Sequence, residues 1–81
     1  MRVRIRYFAA VREALGLAEE QVELPAGSSV ADLQRALETS HPALHAHRRG
    51  LRFAVGARFA AAETPLSDDV EVALIPPVSG G

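Results

Sequence analysis

Apolar and polar residues alternate from the first positions: Val3, Ile5 and Tyr7 interleave with Arg2, Arg4 and Arg6. A period of two is the mark of a strand with one buried face, so residues 2–8 are expected to form a β-strand. The three arginines then share its outer face, and Phe8 joins them by parity. Residues 9–15, Ala9-Ala10-Val11-Arg12-Glu13-Ala14-Leu15, are strong helix formers, and Gly16 is a good stop. Val22 and Leu24 fit a second strand, closed by Pro25-Ala26-Gly27. Ser28 or Ser29 opens the main helix, and Ser29 with Asp32 three residues on has the pattern of a capping box. Val30, Leu33 and Leu37 recur at helical spacing with Ala36 beside them, which gives one stripe to pack on a sheet. His41-Pro42 ends that helix, because the residue before proline avoids the α region.

The second half of the chain returns to a period of two. Leu51, Phe53 and Val55 form a third strand, Gly56-Ala57 a turn, and Arg58-Phe59-Ala60 a short fourth strand. Pro65 to Asp69 is a loop, after which Val70, Val72 and Leu74 alternate with Glu71, Ala73 and Ile75 in the last strand. Strands come mostly as local pairs with one long helix between them, so the expected class is α+β, a sheet with a helix across one face. The first and last strands are expected to be central and parallel, since their connection is the whole intervening chain. The chain divides into a body, residues 1–75, and an extended tail, residues 76–81.

Composition narrows the function classes. Eighty-one residues make one domain, and 48% of them are hydrophobic, enough for a small core. No apolar run approaches the ~20 residues of a membrane span, and Met1-Arg2-Val3-Arg4 has no apolar leader core, so a cytoplasmic location without a membrane partner is expected. The chain has no cysteine, which excludes disulfides, thiolate metal sites and a cysteine nucleophile. It also has no lysine: all nine basic residues are arginine, so neither a Schiff base nor a lysine isopeptide bond can form on its own side chains. A formal net charge of −1 argues against a general nucleic-acid binder.

Side-chain constellations for catalysis are poorly supported. Asp68-Asp69 lies in a turn, where aspartate is common for backbone reasons. His41, His45 and His47 are close in sequence, but Pro42 interrupts their geometry and no further metal ligand adjoins, so no metal site is expected. Gly27, Gly50 and Gly56 are isolated and form no phosphate loop. The face carrying Arg4, Arg6 and Phe8 has two readings. One is an ordinary solvated sheet face under arginine stems. The other joins it to Ala73 and Ile75 of the last strand as a protein–protein interface.

The ending is the most distinctive segment: Ile75-Pro76-Pro77-Val78-Ser79-Gly80-Gly81. Two prolines favour an extended path that carries the tip away from the body. A Gly-Gly tip, lacking any Cβ, can enter a slot too narrow for other dipeptides. The segment is expected to act as a semi-rigid stalk with a slender carboxylate, against the plainer alternative of a frayed terminus.

The opening, Val3-Arg4-Ile5-Arg6-Tyr7-Phe8-Ala9-Ala10-Val11-Arg12-Glu13-Ala14-Leu15-Gly16, resembles that of the small-subunit family of molybdopterin synthase. So do Val30-Ala31-Asp32-Leu33, His41-Pro42-Ala43-Leu44, and above all the end from Glu71 to Gly81. The resemblance covers essentially the whole chain and implies a ubiquitin-like β-grasp fold. It departs from the family pattern at two turns: Val55-Gly56 where the family usually has Val-Asn, and Asp68-Asp69-Val70-Glu71 where it usually has Asp-Gly-Asp-Glu.

The resemblance implies a sulfur carrier for molybdenum-cofactor synthesis. A partner resembling ubiquitin-activating enzymes would use ATP to adenylate the Gly81 carboxylate, and a sulfur donor enzyme would convert it to a thiocarboxylate. The tail would enter the large synthase subunit and give sulfur to cyclic pyranopterin monophosphate, within a heterotetramer. Gly81 would carry the sulfur, Gly80 would keep the channel clear, and Pro76, Pro77, Val78 and Ser79 would guide insertion. No cofactor would be held by this chain, and the catalytic side chains would be the partner's. Carriers for thiamine or tRNA thiolation, and ubiquitin-like modifiers of other proteins, share the tail and remain alternatives.

Overall fold

The opening alternation becomes strand β1 (Arg2–Tyr7), with Val3, Ile5 and Tyr7 buried and the three arginines exposed, in a computed structural model that describes residues 1–78. The strand ends one residue earlier than expected. Phe8 is the N-cap of helix α1 (Ala9–Leu15), although its backbone stays extended at φ −128° and ψ 152°. Gly16 closes α1 in the left-handed conformation at φ 66°, its N–H donating to the Arg12 carbonyl. Strand β2 (Glu19–Glu23) follows, then helix α2 (Val30–Ser40), β3 (Arg52–Val55), β4 (Arg58–Ala60) and β5 (Val70–Ile75).

Ser29, not Ser28, caps α2. The Asp32 N–H donates to Ser29 Oγ at 3.3 Å and the Ser29 N–H donates to Asp32 Oδ2 at 2.9 Å, a complete capping box. Ser28 instead donates its hydroxyl to the Pro25 carbonyl at 2.7 Å and closes the preceding turn. His41 ends α2 as expected, but Pro42 also starts something: a 3-10 helix over Pro42–His47 that buries Leu44 completely. Proline at a first helical position costs nothing, since its missing N–H would have had no partner there.

The five strands form one sheet in the order β2-β1-β5-β3-β4. β1 and β5 pair in parallel, Ile5 opposite Val72 and Tyr7 opposite Leu74; the other pairs are antiparallel. Helix α2 sets Val30, Leu33 and Leu37 into one core with Val3, Ile5, Tyr7, Phe53, Val72 and Leu74. Burying each such side chain is worth roughly 1.5–3 kcal/mol, so this one-sided core supplies the cohesion of the sheet.

Both turns that depart from the family pattern use positive φ. Gly56 at +56° and Ala57 at +70° join β3 to β4 in a two-residue hairpin turn, where glycine serves as well as asparagine. Asp69 stands at +64°, where the family usually places glycine. Its N–H donates to the Arg2 carbonyl at 2.6 Å, while Asp68 Oδ1 accepts from the Arg2 N–H at 2.8 Å. The aspartate pair therefore fastens the start of β1 to the start of β5.

Candidate functional site

Alternation along five paired strands decides which side chains share the uncovered face. The register sets Arg4 opposite Glu71, Arg6 opposite Ala73, Ala73 opposite Ala54, and Ile75 opposite Arg52. Their inward neighbours, Val72 and Leu74, are fully buried, so Glu71, Ala73 and Ile75 point to the opposite side from α2. The guanidinium of Arg6 lies 5.2 Å from the ring centroid of Phe8. Arg4, Arg6, Phe8, Ala73 and Ile75 are thus brought to one face, with Phe8 reaching it from the helix cap rather than from the strand.

The face is larger than those five residues. Glu71 takes an ion pair from Arg4 at 3.4 Å and a looser one from Arg6 at 3.9 Å, and all three side chains are exposed enough for water to weaken both. Ala54 is buried although it is absent from the α2-side core, because Ala73 and Phe59 flank it in the register. Phe59 is 55% exposed, and the Arg52 guanidinium stacks over its ring at 3.6 Å. The alternation of β3 and β4 held the signal for Arg52, Ala54 and Phe59. What was missing was the order of strands that sets them beside Ala73. The face divides into a charged half, Arg4-Arg6-Glu71, and an apolar half, Ala73-Ile75-Ala54-Phe59, edged by arginine.

The tail leaves from the middle of this sheet. β5 is the central strand and ends at Ile75; Pro76 is half-buried, Pro77 exposed, and Val78 93% exposed. Ser79, Gly80 and Gly81 lie outside the described residues.

The three histidines do not converge. His41 Nε2 is 2.6 Å from Glu20 Oε2, whereas His45 Nδ1 is 3.2 Å from Glu38 Oε1. Among the described residues no group of three or more His, Cys, Asp or Glu side chains is placed to hold a metal ion, and no helix is long and apolar enough to cross a membrane. Sequence patterning missed a different cluster. The buried Tyr7 hydroxyl donates to the same Glu20 oxygen that His41 meets, tying β1, β2 and the end of α2 together. Burial, then the hydrogen bond to and charge of Glu20, push the Tyr7 hydroxyl above its ordinary pKa. Around Glu38, desolvation acts upward. Hydrogen bonds from His45 and Gln34 and the charge of Arg48 outweigh it, leaving that carboxyl below its ordinary value.

A mixed five-stranded sheet that clasps one main helix and releases its tail from the central strand defines the class: a ubiquitin-like β-grasp protein. SAMP1 of Haloferax volcanii, a small archaeal modifier protein, has this structure with a TM-score of 0.88 at 27% identity over all of both chains. A chain of the complex of subunits 1 and 2 of the molybdopterin-converting factor from Helicobacter pylori matches in fold with a TM-score of 0.73, at 23% identity over all of both chains. Within that class, the model of the ThiS family matches residues 5–81, and the chain belongs to that family. Molybdopterin synthase sulfur carrier subunits are similar over full length. That of Mycobacterium tuberculosis is 39% identical over all of this chain and 99% of its own, and that of Chlamydomonas reinhardtii 36% identical over all of both.

Proposed function

We propose that this chain is the sulfur carrier of molybdopterin synthesis and that Gly81 is its working residue. The observation that carries the reading is the exit of the tail. The described part of the chain's most specific segment continues the central strand and reaches the surface, with Pro77 and Val78 exposed. Full-length similarity to the sulfur carrier subunits supports the same reading.

The chemistry follows from what a carboxylate lacks. A free carboxylate is a poor electrophile. An activating partner related to ubiquitin-activating enzymes joins a Gly81 oxygen to the α-phosphorus of ATP and releases pyrophosphate. Sulfur from a donor enzyme, at the oxidation level of sulfide, then displaces AMP from the acyl carbon. The thiocarboxylate is anionic and soft at neutral pH, much as a thiolate is. Its sulfur attacks a carbon of cyclic pyranopterin monophosphate in the large synthase subunit, forming the C–S bond as that carbon's bond to oxygen breaks and the oxygen leaves with a proton. Water cleaves the acyl–sulfur bond, leaves the sulfur on the product and restores the carboxylate. A dithiolene needs two sulfurs, so two carriers serve each product, as a heterotetramer with two small subunits provides. ATP belongs to the activating partner, and the reactions are cytoplasmic.

In this scheme Pro76 and Pro77 restrict the free tail and lower the ordering cost of insertion. Val78 and Ser79 meet the channel wall, and Gly80 leaves it clear. Arg4, Arg6, Phe8, Ala73 and Ile75 seat the body on the large subunit, where a stacked arginine and an aromatic beside aliphatic residues suit an interface core. Removal of Gly81 is expected to abolish transfer and leave the melting temperature unchanged. The measurement is intact mass after incubation with the activating enzyme, ATP and a sulfur source, looking for one oxygen replaced by sulfur at Gly81. Unchanged transfer by the shortened chain sinks the proposal.

Likeness to the archaeal modifier protein favours a second reading, in which Gly81 is joined to lysines of other proteins. High-mass conjugates on an anti-carrier immunoblot, lost with Gly81, are its readout.

A further inference from the structure

The turn before β3 closes with the Leu51 N–H donating to the Arg48 carbonyl at 3.3 Å, and Gly50 within it stands at φ +74°. This turn lies beside the end of β5, since Arg52 pairs with Ile75. The ring of Pro77 covers the place where a side chain of residue 50 would be. A methyl group at Gly50 would stand 3.1 Å from Pro77 Cγ, 3.4 Å from its Cβ and 3.6 Å from its Cδ. Gly16, Gly27 and Gly56 also have positive φ, yet a methyl group on any of them would meet nothing within 4 Å. Their glycines answer to backbone conformation alone, whereas Gly50 also makes room for the root of the tail.

We propose that Gly50 is a positioning residue for the tail: its missing side chain seats the Pro77 ring and so sets the direction in which the tail leaves the body. This rests on the carrier reading above. Carbon–carbon contacts are comfortable at about 3.5–4.0 Å, so a methyl group at Gly50 pushes Pro77 away by a few tenths of an ångström. Ile75 is the last paired residue. Measured from it, Pro77 is two residues out and Gly81 six, so along an extended path the displacement grows about threefold, to roughly 1 Å at Gly81. An error of that size at a reacting atom slows a positioned reaction by about tenfold to a hundredfold.

The test begins with the free chain. A nuclear Overhauser effect between the Gly50 α-protons and the Pro77 ring protons is expected, and it reports the contact whether or not sulfur is transferred; its absence overturns the proposal. Single-turnover transfer from thiocarboxylate carrier to cyclic pyranopterin monophosphate in the purified large subunit follows. Gly50→Ala is expected to slow the step by about tenfold while affinity for the large subunit holds. Gly56→Ala carries the same kind of backbone strain without the contact and is expected to transfer at the wild-type rate. The double variant Gly50→Ala/Pro77→Ala is expected to match Pro77→Ala alone, because the two changes act through one contact. Gly50→Ala indistinguishable from Gly56→Ala, or additive effects in the double variant, overturns this inference alone. A wild-type thiocarboxylate that gives up no sulfur overturns it together with the carrier reading. Should Gly50→Ala fail to fold, the Gly50–Pro77 nuclear Overhauser contact in the wild-type chain decides, since it requires no variant.

Discussion

Tyr7→Phe isolates one hydroxyl whose energetic role changes sign with pH. Tyr7 is 2% exposed, and its hydroxyl donates to Glu20, which also receives His41. A hydrogen bond to a charged group is worth about 1.5–3 kcal/mol, so near neutrality Tyr7→Phe is expected to destabilise by about 2 kcal/mol. At high pH the balance reverses. Burial first, then Glu20, holds the folded-state hydroxyl above its ordinary pKa, so the folded chain keeps a proton that the unfolded chain loses from about pH 10. The unfolded state then binds fewer protons, and stability falls by about 1.4 kcal/mol per pH unit above that point. The loss overtakes the hydrogen bond roughly 1.5 units later, near pH 11.5, where the wild-type and Tyr7→Phe stability curves are expected to cross. This chain makes the assignment unusually clean. It has one tyrosine, no lysine and no cysteine, so no other side chain titrates in that window. Urea unfolding of both proteins across the alkaline range, with the near-ultraviolet signal of tyrosinate as a monitor, gives the two curves. Parallel curves, with the same alkaline slope in wild type and Tyr7→Phe, refute the reasoning.

Ala57 occupies φ +70° in the hairpin turn, where a Cβ is strained, so Ala57→Gly is expected to stabilise by about 1 kcal/mol and raise the melting temperature by about 4–8 °C; calorimetry checks it. Hydrogen bonds from the Ser29 backbone and hydroxyl, then Arg35, hold the Asp32 carboxyl below its ordinary value. Its contribution is present above the unfolded-state pKa and lost as pH falls through the folded one, so the stability gap between wild type and Asp32→Asn is expected to shrink below about pH 4. Arg6→Ala, on an exposed strand position, is expected to weaken binding to the large synthase subunit about tenfold at unchanged melting temperature, read by titration calorimetry.

What was legible in the sequence was what depends on neighbours along the chain. Parity placed Val3, Ile5 and Tyr7 inside and Val72 and Leu74 with them. The Ser29–Asp32 spacing gave the capping box, and His41-Pro42 gave the end of α2. What escaped depends on contacts across the fold. β2 was expected around Val22 and Leu24, yet the strand is Glu19–Glu23 and Leu24 is buried just beyond it. A carboxylate at position 20 reads as surface, and only Tyr7 and His41, arriving from other elements, make its half-buried place acceptable. The 3-10 helix escaped because a single buried leucine, Leu44, has no period to reveal it. Of the outer face, the five residues on β1, the α1 cap and β5 were legible. Arg52, Ala54 and Phe59 waited on the β5–β3 and β3–β4 registers.

The position of the tail in the sheet bears on how well its direction can be kept. β5 is flanked on both sides, parallel to β1 and antiparallel to β3, and its inward residues Val72 and Leu74 are fully buried. Core strands open only with the whole domain, whereas edge strands fray at little cost. A tail hung on β4, a three-residue edge strand, would inherit that fraying. Hung on β5, it inherits the stability of the core up to Ile75, and the fixed φ of Pro76 and Pro77 carries the constraint two residues further. The core lies on the α2 side of the sheet, which leaves the face bearing Arg6, Ala73 and Ile75 uncovered for the proposed partner. The same strand thus fixes both the proposed docking surface and the starting point of the tail, and their relative geometry cannot drift unless the core itself opens.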